Sequence, residues 1–209
     1  MPLDMPVAAP HERLTDRKRQ AILRSAIEEF RAHGFDATSM DRVAASAGVS
    51  KRTVYNHFPS KDALFAEILL QLWQSSSAQV DVAYSPRRPL HEQLRELLQQ
   101  KMRMLDDANF IDLARVAIAE VIHSPQRAQE MVARLGDREE GLTVWLRAAV
   151  ADGRLKPVDP QFAAQQLHGL VKSFAFWPQV TMGQPPLPPL AQQQVVDTAV
   201  QMFLGYYAA

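Results

Sequence analysis

The chain has 209 residues, 47% of them hydrophobic, and 23 basic against 23 acidic side chains give a formal net charge of zero. That length buries a sizeable core in one or two domains. The absence of cysteine excludes a disulfide framework, a thiolate zinc site and a cysteine nucleophile, and with no run of about eighteen apolar residues a membrane-spanning helix is excluded.

The first ten residues contain Pro2, Pro6 and Pro10 and neither Lys nor Arg. They lack the positive n-region and apolar run of a signal peptide, so residues 1–14 are expected to be a disordered tail and the protein cytoplasmic. Arg17, Lys18 and Arg19 follow. Cations in the first turn of a helix oppose its macrodipole, so this triplet points either to an external anion or to a plain solvated turn.

Residues 38–61 carry the densest signal. Thr38 or Ser39 can cap a short helix, with Asp41 placed to close a capping box from Thr38. Val43, Ala44 and Ala47 give that helix a small apolar face, and Gly48 ends it with a positive φ. Val49 plugs the turn and Ser50 caps a second short helix, with Val54 inward and Lys51, Arg52, Thr53, Tyr55 and Asn56 outward. The pattern is a helix-turn-helix whose second helix suits a major groove. Charge agrees: residues 13–61 hold ten basic side chains against five acids, whereas the chain from Asp62 onward is net acidic. A basic end on an acidic body is the electrostatic footprint of a small DNA-binding module.

The remainder reads as successive helices, with neither strand alternation nor repeats. Ser60 caps a long helix through Leu64, Phe65, Ile68, Leu69, Leu72 and Trp73. Residues 90–105 place Leu94, Leu97, Leu98, Met102 and Leu105 inward. Residues 110–122 are apolar on most sides, as in the centre of a bundle. A helix from Ser124-Pro125 ends at Asp152-Gly153. Asp159-Pro160 is an N-cap with proline at N1, opening a helix that Pro178 bends or ends. After a proline-rich loop, residues 191–207 close the chain. The fold class is all-α, with about nine helices.

These residues resemble the TetR family of bacterial transcriptional regulators. Ile22, Leu23, Ala26, Phe30, Gly34 and Phe35 match the first helix of the family's DNA-binding domain, and Tyr55-Asn56-His57-Phe58-Pro59-Ser60-Lys61-Asp62-Ala63-Leu64 matches its Tyr-x-His-Phe-x-x-Lys-x-x-Leu run. Arg115, Glu120, Pro125, Gly153-Arg154-Leu155 and Asp159-Pro160 are similar to its AefR-like branch. Arg52 departs from the pattern, since many members carry a small residue there. The resemblance implies a helix-turn-helix domain over residues 15–60 and a ligand-binding and dimerisation domain over residues 61–209. It also implies a ligand-responsive regulator, most simply a repressor, that binds a palindromic double-stranded DNA operator as a homodimer and is released by a small, mainly apolar effector.

Site residues divide by chemistry. Lys51 and Arg52, at the start of the recognition helix, reach base edges, where Arg favours guanine O6 and N7. Thr53 suits a phosphate or a thymine methyl, and Ser50 and Asn56 join the DNA-facing set. Ser39, Tyr55, His57 and Lys61 are the phosphate set, Lys61 standing at a helix N-terminus. For His57 a packed neutral ring beside Phe58 remains an alternative, as does a core ring for Tyr55. An effector pocket is expected among Trp73, Met102, Leu105, Phe110, Leu113, Ala117, Trp145, Leu146, Phe174 and Trp177, each of which could equally be ordinary core. TetR-like regulators pair through their last two long helices, which assigns Leu167, Val171, Phe174, Val196, Val200 and Phe203 to the dimer interface; the alternative is the monomer core.

No Gly-x-Gly-x-x-Gly, His-Glu-x-x-His, Gly-x-x-x-x-Gly-Lys or Gly-x-Ser-x-Gly motif is present, and the six histidines show no metal spacing. An enzyme, a metal and a cofactor are therefore not expected. The competing class is a helical protein-interaction or scaffold module that does not bind DNA, against which Lys51, Arg52, Tyr55 and Lys61 argue.

Overall fold

The computed structural model describes residues 10–78, 83–124, 126, 129 and 141–209. The helices are α1 (Pro10–His33), α2 (Met40–Ser46), α3 (Lys51–His57), α4 (Lys61–Ala78), α5 (Leu90–Leu105), α6 (Ala108–His123), α7 (Gly141–Ala151), α8 (Pro160–Ala175), α9 (Trp177–Met182) and α10 (Pro189–Tyr207). At Phe176 (φ −115°, ψ −63°) the chain leaves helical values between α8 and α9. Pro178 lacks an N–H and crowds the preceding turn, so α9 continues α8 past a bend. Counted so, the described residues form nine helices, one of them bent, and the fold is all-α. Its one isolated β-bridge among those residues joins Leu155 and Ala208. No described helix is long and apolar enough to cross a membrane.

Two compact units are present, residues 1–70 with 116–124 and residues 71–115 with 125–209. In the first, Ile22, Leu23, Ala26 and Phe30 recur at helical spacing on α1 and are buried with Val43 and Ala44 of α2, Val54 of α3 and Phe58. The first unit extends beyond the boundary expected at residue 60. Leu64, Phe65 and Ile68 of α4 are buried, and the Phe65 ring meets Phe30 at 6.1 Å and Phe35 at 5.2 Å, both edge-on. Edge-to-face pairs add about 0.5–1.5 kcal/mol each to what burial alone supplies. Cutting the chain at residue 60 would divide this cluster.

Helix α1 reaches back to Pro10, so residues 10–14 are helical where a tail was expected, and proline is tolerated in a helix's first turn. Arg17, Lys18 and Arg19 therefore lie beyond that turn, where the macrodipole does not oppose cations and no external anion is needed to explain them.

In the second unit α10 packs on α5 and α8, and α7 on α8. Leu94, Leu97, Leu98, Leu142, Leu146, Leu167 and Val171 are almost wholly buried. Asp159 caps α8 by accepting from the Phe162 N–H at 2.7 Å, as the sequence implies. Gln93, buried in this apolar interior, has its amide fully used. Its Nε2 donates to the carbonyls of Ser85 and Arg88, and its Oε1 accepts from the Ser85 N–H and from Trp145 Nε1. A buried amide with every bond made fixes the loop before α5, its hydrogen bonds offsetting the cost of desolvation.

Candidate nucleic-acid interface

The first unit builds a helix-turn-helix from α2 and α3. Ser39 caps α2, accepting from the Arg42 N–H at 3.2 Å. Thr38 does not form the expected capping box. Its hydroxyl turns inward to the carbonyls of Gly34 and Glu29, and Asp41 is engaged elsewhere. Gly48 adopts φ +64°, which lets its N–H close on the Ala45 carbonyl and the Val49 N–H on the Ala44 carbonyl. Ser50 then caps α3, accepting from the Thr53 N–H at 3.1 Å, with its hydroxyl 2.8 Å from that of Thr53.

Val54 is the buried face of α3. Lys51, Arg52, Tyr55 and Asn56 are exposed, while Thr53 and His57 are half-buried. Tyr55 keeps 43% of its surface exposed, so it is not a core ring. His57 sits beside Phe58 with ring centres 6.4 Å apart, so both of its readings stand. Among the described residues Arg52 has no ion-pair partner. Lys51 does: its ammonium lies 2.9 Å from Asp41 Oδ1 and 3.0 Å from Oδ2. The hydrogen bond to Asp41, then that carboxylate's charge, hold Lys51 above the ordinary lysine pKa.

Lys61 is placed otherwise than the phosphate reading requires. Its ammonium donates to the carbonyls of Phe35 at 2.6 Å, Thr38 at 3.0 Å and Asp36 at 3.1 Å. An ammonium has three donors, and all three are committed to the α1–α2 connection. Lys61 is an internal clamp. Arg19 is likewise occupied, bridging to Glu67 at 2.9 Å and lying 5.1 Å from the Phe58 ring centre, which leaves Arg17 and Lys18 of the triplet in solvent. Sequence signals for such pairs are weak, since the partners are far apart along the chain.

In the second unit Met102, Leu105, Phe110, Leu113, Trp145 and Leu146 are buried. Two other expected pocket residues are not, because Phe174 is 57% and Trp177 44% exposed, which removes both from an enclosed lining. Ala117 is buried but belongs to the first unit. The side chain of Trp73 lies outside the described residues.

The expected dimer residues are corrected too. Leu167, Val171, Val196, Val200 and Phe203 are each at most 5% exposed and form the unit's own core. The outward faces of α8 and α10 carry a second apolar stripe. Phe162, Leu170, Phe174, Met202 and Tyr206 line an open groove whose floor is Phe203. Phe162, Phe174, Met202 and Tyr206 are all more than half exposed. Periodicity reveals the stripes on such helices without saying which one faces in.

A buried three-helix platform that presents Arg52, Tyr55 and Asn56 on the second helix of a helix-turn-helix defines a DNA-binding protein of that class. Residues 22–68 match the model of the bacterial regulatory proteins of the tetR family, and residues 92–209 that of the AefR-like transcriptional repressor C-terminal domain. The chain belongs to the TetR family and is a DNA-binding transcriptional regulator, in a family that is not enzymatic. It is 55% identical to a TetR family transcriptional regulator from Pseudomonas syringae pv. tomato str. DC3000, whose crystal structure superposes with a TM-score of 0.84 over 92% of this chain and 97% of that one. The flavonoid-responsive regulator FrrA is 29% identical, with a TM-score of 0.69 over 92% of this chain and 98% of that one. The HTH-type transcriptional regulator YhgD of Bacillus subtilis (strain 168) is 30% identical over 71% of this chain and 77% of its own length.

Proposed function

We propose that the protein is a cytoplasmic, ligand-responsive repressor that binds a palindromic operator as a homodimer. The observation that carries this reading is the outward stripe of Phe162, Leu170, Phe174, Met202 and Tyr206 on its last two long helices. Apolar patches of this kind mark association surfaces, and a two-fold pair of identical faces is the commonest way to cover them. One helix-turn-helix reads one half-site, so pairing supplies the second reader that a palindrome requires. Within each reader Arg52 takes base edges. Thr53, Tyr55, Asn56 and His57, with Ser39 and Ser50 at the two caps, border the backbone phosphates. The effector is a small, mainly apolar and aromatic molecule, held among the buried side chains of the second unit around Met102, Phe110 and Trp145. The flavonoid response of FrrA supports that chemistry.

The test is a gel shift on the promoter region beside the protein's own gene, repeated with flavonoids and other aromatic compounds. A retarded band released by such a compound is expected. Absence of any shift on that DNA and on operators selected from random sequence would reject the reading in favour of a helical interaction module.

A further inference from the structure

The Lys51–Asp41 pair spans the two helices of the reader, from the first turn of α2 to the first turn of α3. Both side chains are more than 60% exposed, and pairs so exposed contribute little to folding. Its placement matters more than its strength. Lys51 and Arg52 are the two permanent cations of α3, so Asp41 neutralises half of the fixed positive charge on the recognition helix.

Binding to DNA of arbitrary sequence is driven by counterion release, each cation that meets a phosphate adding to it. A lysine already held by both oxygens of a carboxylate has little to add. Moving it to a phosphate exchanges one anion for another and strands Asp41 beside the DNA backbone. Arg52, with no ion-pair partner among the described residues, carries no such cost. Resting on the reading of α3 as the DNA-facing helix, we propose that Asp41 is a specificity-determining residue, which holds Lys51 and thereby weakens binding to non-operator DNA. Lys51 then lends its charge only where a base edge of the operator takes the place of the carboxylate.

The experiment measures fluorescence anisotropy of the full chain on a random-sequence duplex across a salt series, with unfolding followed by circular dichroism. Asp41→Asn should bind this duplex roughly five- to tenfold more tightly per subunit near 0.1 M salt and steepen the log K against log salt slope by roughly one unit per subunit. Lys51→Gln alone should leave the slope at its wild-type value, and Asp41→Asn with Lys51→Gln should return to it. A slope flattened by Lys51→Gln would overturn the inference, since Lys51 would then be an ordinary phosphate ligand. So would an unchanged Asp41→Asn, or a gain that persists once Lys51 is gone. Arg52→Ala separates this from failure of the underlying reading. If it leaves affinity for the operator untouched, α3 does not face DNA and both fall; if Arg52 acts and Asp41 does not, only this inference falls.

Discussion

The Lys61 ammonium donates to the backbone carbonyl of Phe35 at 2.6 Å and lies 4.4 Å from the centre of the same residue's ring. One side chain thus fixes both backbone and ring of Phe35, whose ring also contacts Phe30 and Phe65. The N-terminus of α4 is thereby tied to the connection that leads into α2. Lys61 holds the reader's frame.

Lys61→Ala is accordingly expected to destabilise the protein by about 1–3 kcal/mol, the range for losing hydrogen bonds from a charged donor that is partly solvated. The salt slope of DNA binding should stay at its wild-type value, because no phosphate contact is removed. Denaturant unfolding and a salt titration read the two quantities separately. A flattened slope with unchanged stability would return Lys61 to the phosphate set.

Most local chemistry in this chain was legible and long-range pairing was not; the local exception is Thr38, whose hydroxyl goes to the Glu29 and Gly34 carbonyls instead of a capping box with Asp41. Gly48 with positive φ, Ser50 as a cap and Asp159 before Pro160 are each dictated by residues within four positions, so the sequence shows them directly. Lys61 finds its carbonyl partners 23 to 26 residues away, and Lys51 finds Asp41 across a turn. Nothing in spacing distinguishes such lysines from solvated ones. The helices α8 and α10 failed differently: each carries two apolar stripes, and a 3.6-residue period gives both the same weight. Burial assigned Leu167 and Val200 to the core and Phe174 and Met202 to the surface.

That assignment separates two sets of substitutions. Phe174→Asp and Met202→Asp place a charge on the exposed stripe and should yield a folded monomer. Val200→Asp places it in the core, 5% exposed, where an unpaired carboxylate costs several kcal/mol, and should unfold the chain. Sedimentation velocity with circular dichroism distinguishes these outcomes. A dimer that survives Phe174→Asp and Met202→Asp together would place the interface elsewhere.

Trp145 tests the interior of the second unit. It is 1% exposed, its Nε1 donates to Gln93 at 3.3 Å and its ring meets Tyr84 edge-on at 5.7 Å. Trp145→Ala should cost about 3–5 kcal/mol through the cavity it leaves. Trp145→Phe keeps most of the ring and loses the donor to Gln93, for about 1 kcal/mol. Thermal unfolding orders the three proteins. If the phenylalanine variant retains DNA binding and loses release by aromatic compounds, Trp145 contacts the effector as well as the core.

Arg52 carries the sharpest prediction for recognition. It is exposed on the first turn of α3 and is free of the carboxylate that holds its neighbour Lys51. A guanidinium there can donate two parallel hydrogen bonds to guanine O6 and N7, a pattern no other base pair presents in the major groove. Arg52→Ala should therefore cost about 1–3 kcal/mol per half-site on the operator and relax preference at one or two base pairs of each. Arg52→Lys keeps the charge and loses the fork, so it should restore affinity for random DNA more fully than it restores sequence preference. Selection from random duplexes with all three proteins measures this directly. Recovery of the wild-type operator by the alanine variant would remove Arg52 from the base-reading set and leave it a charge that adds affinity without selecting sequence.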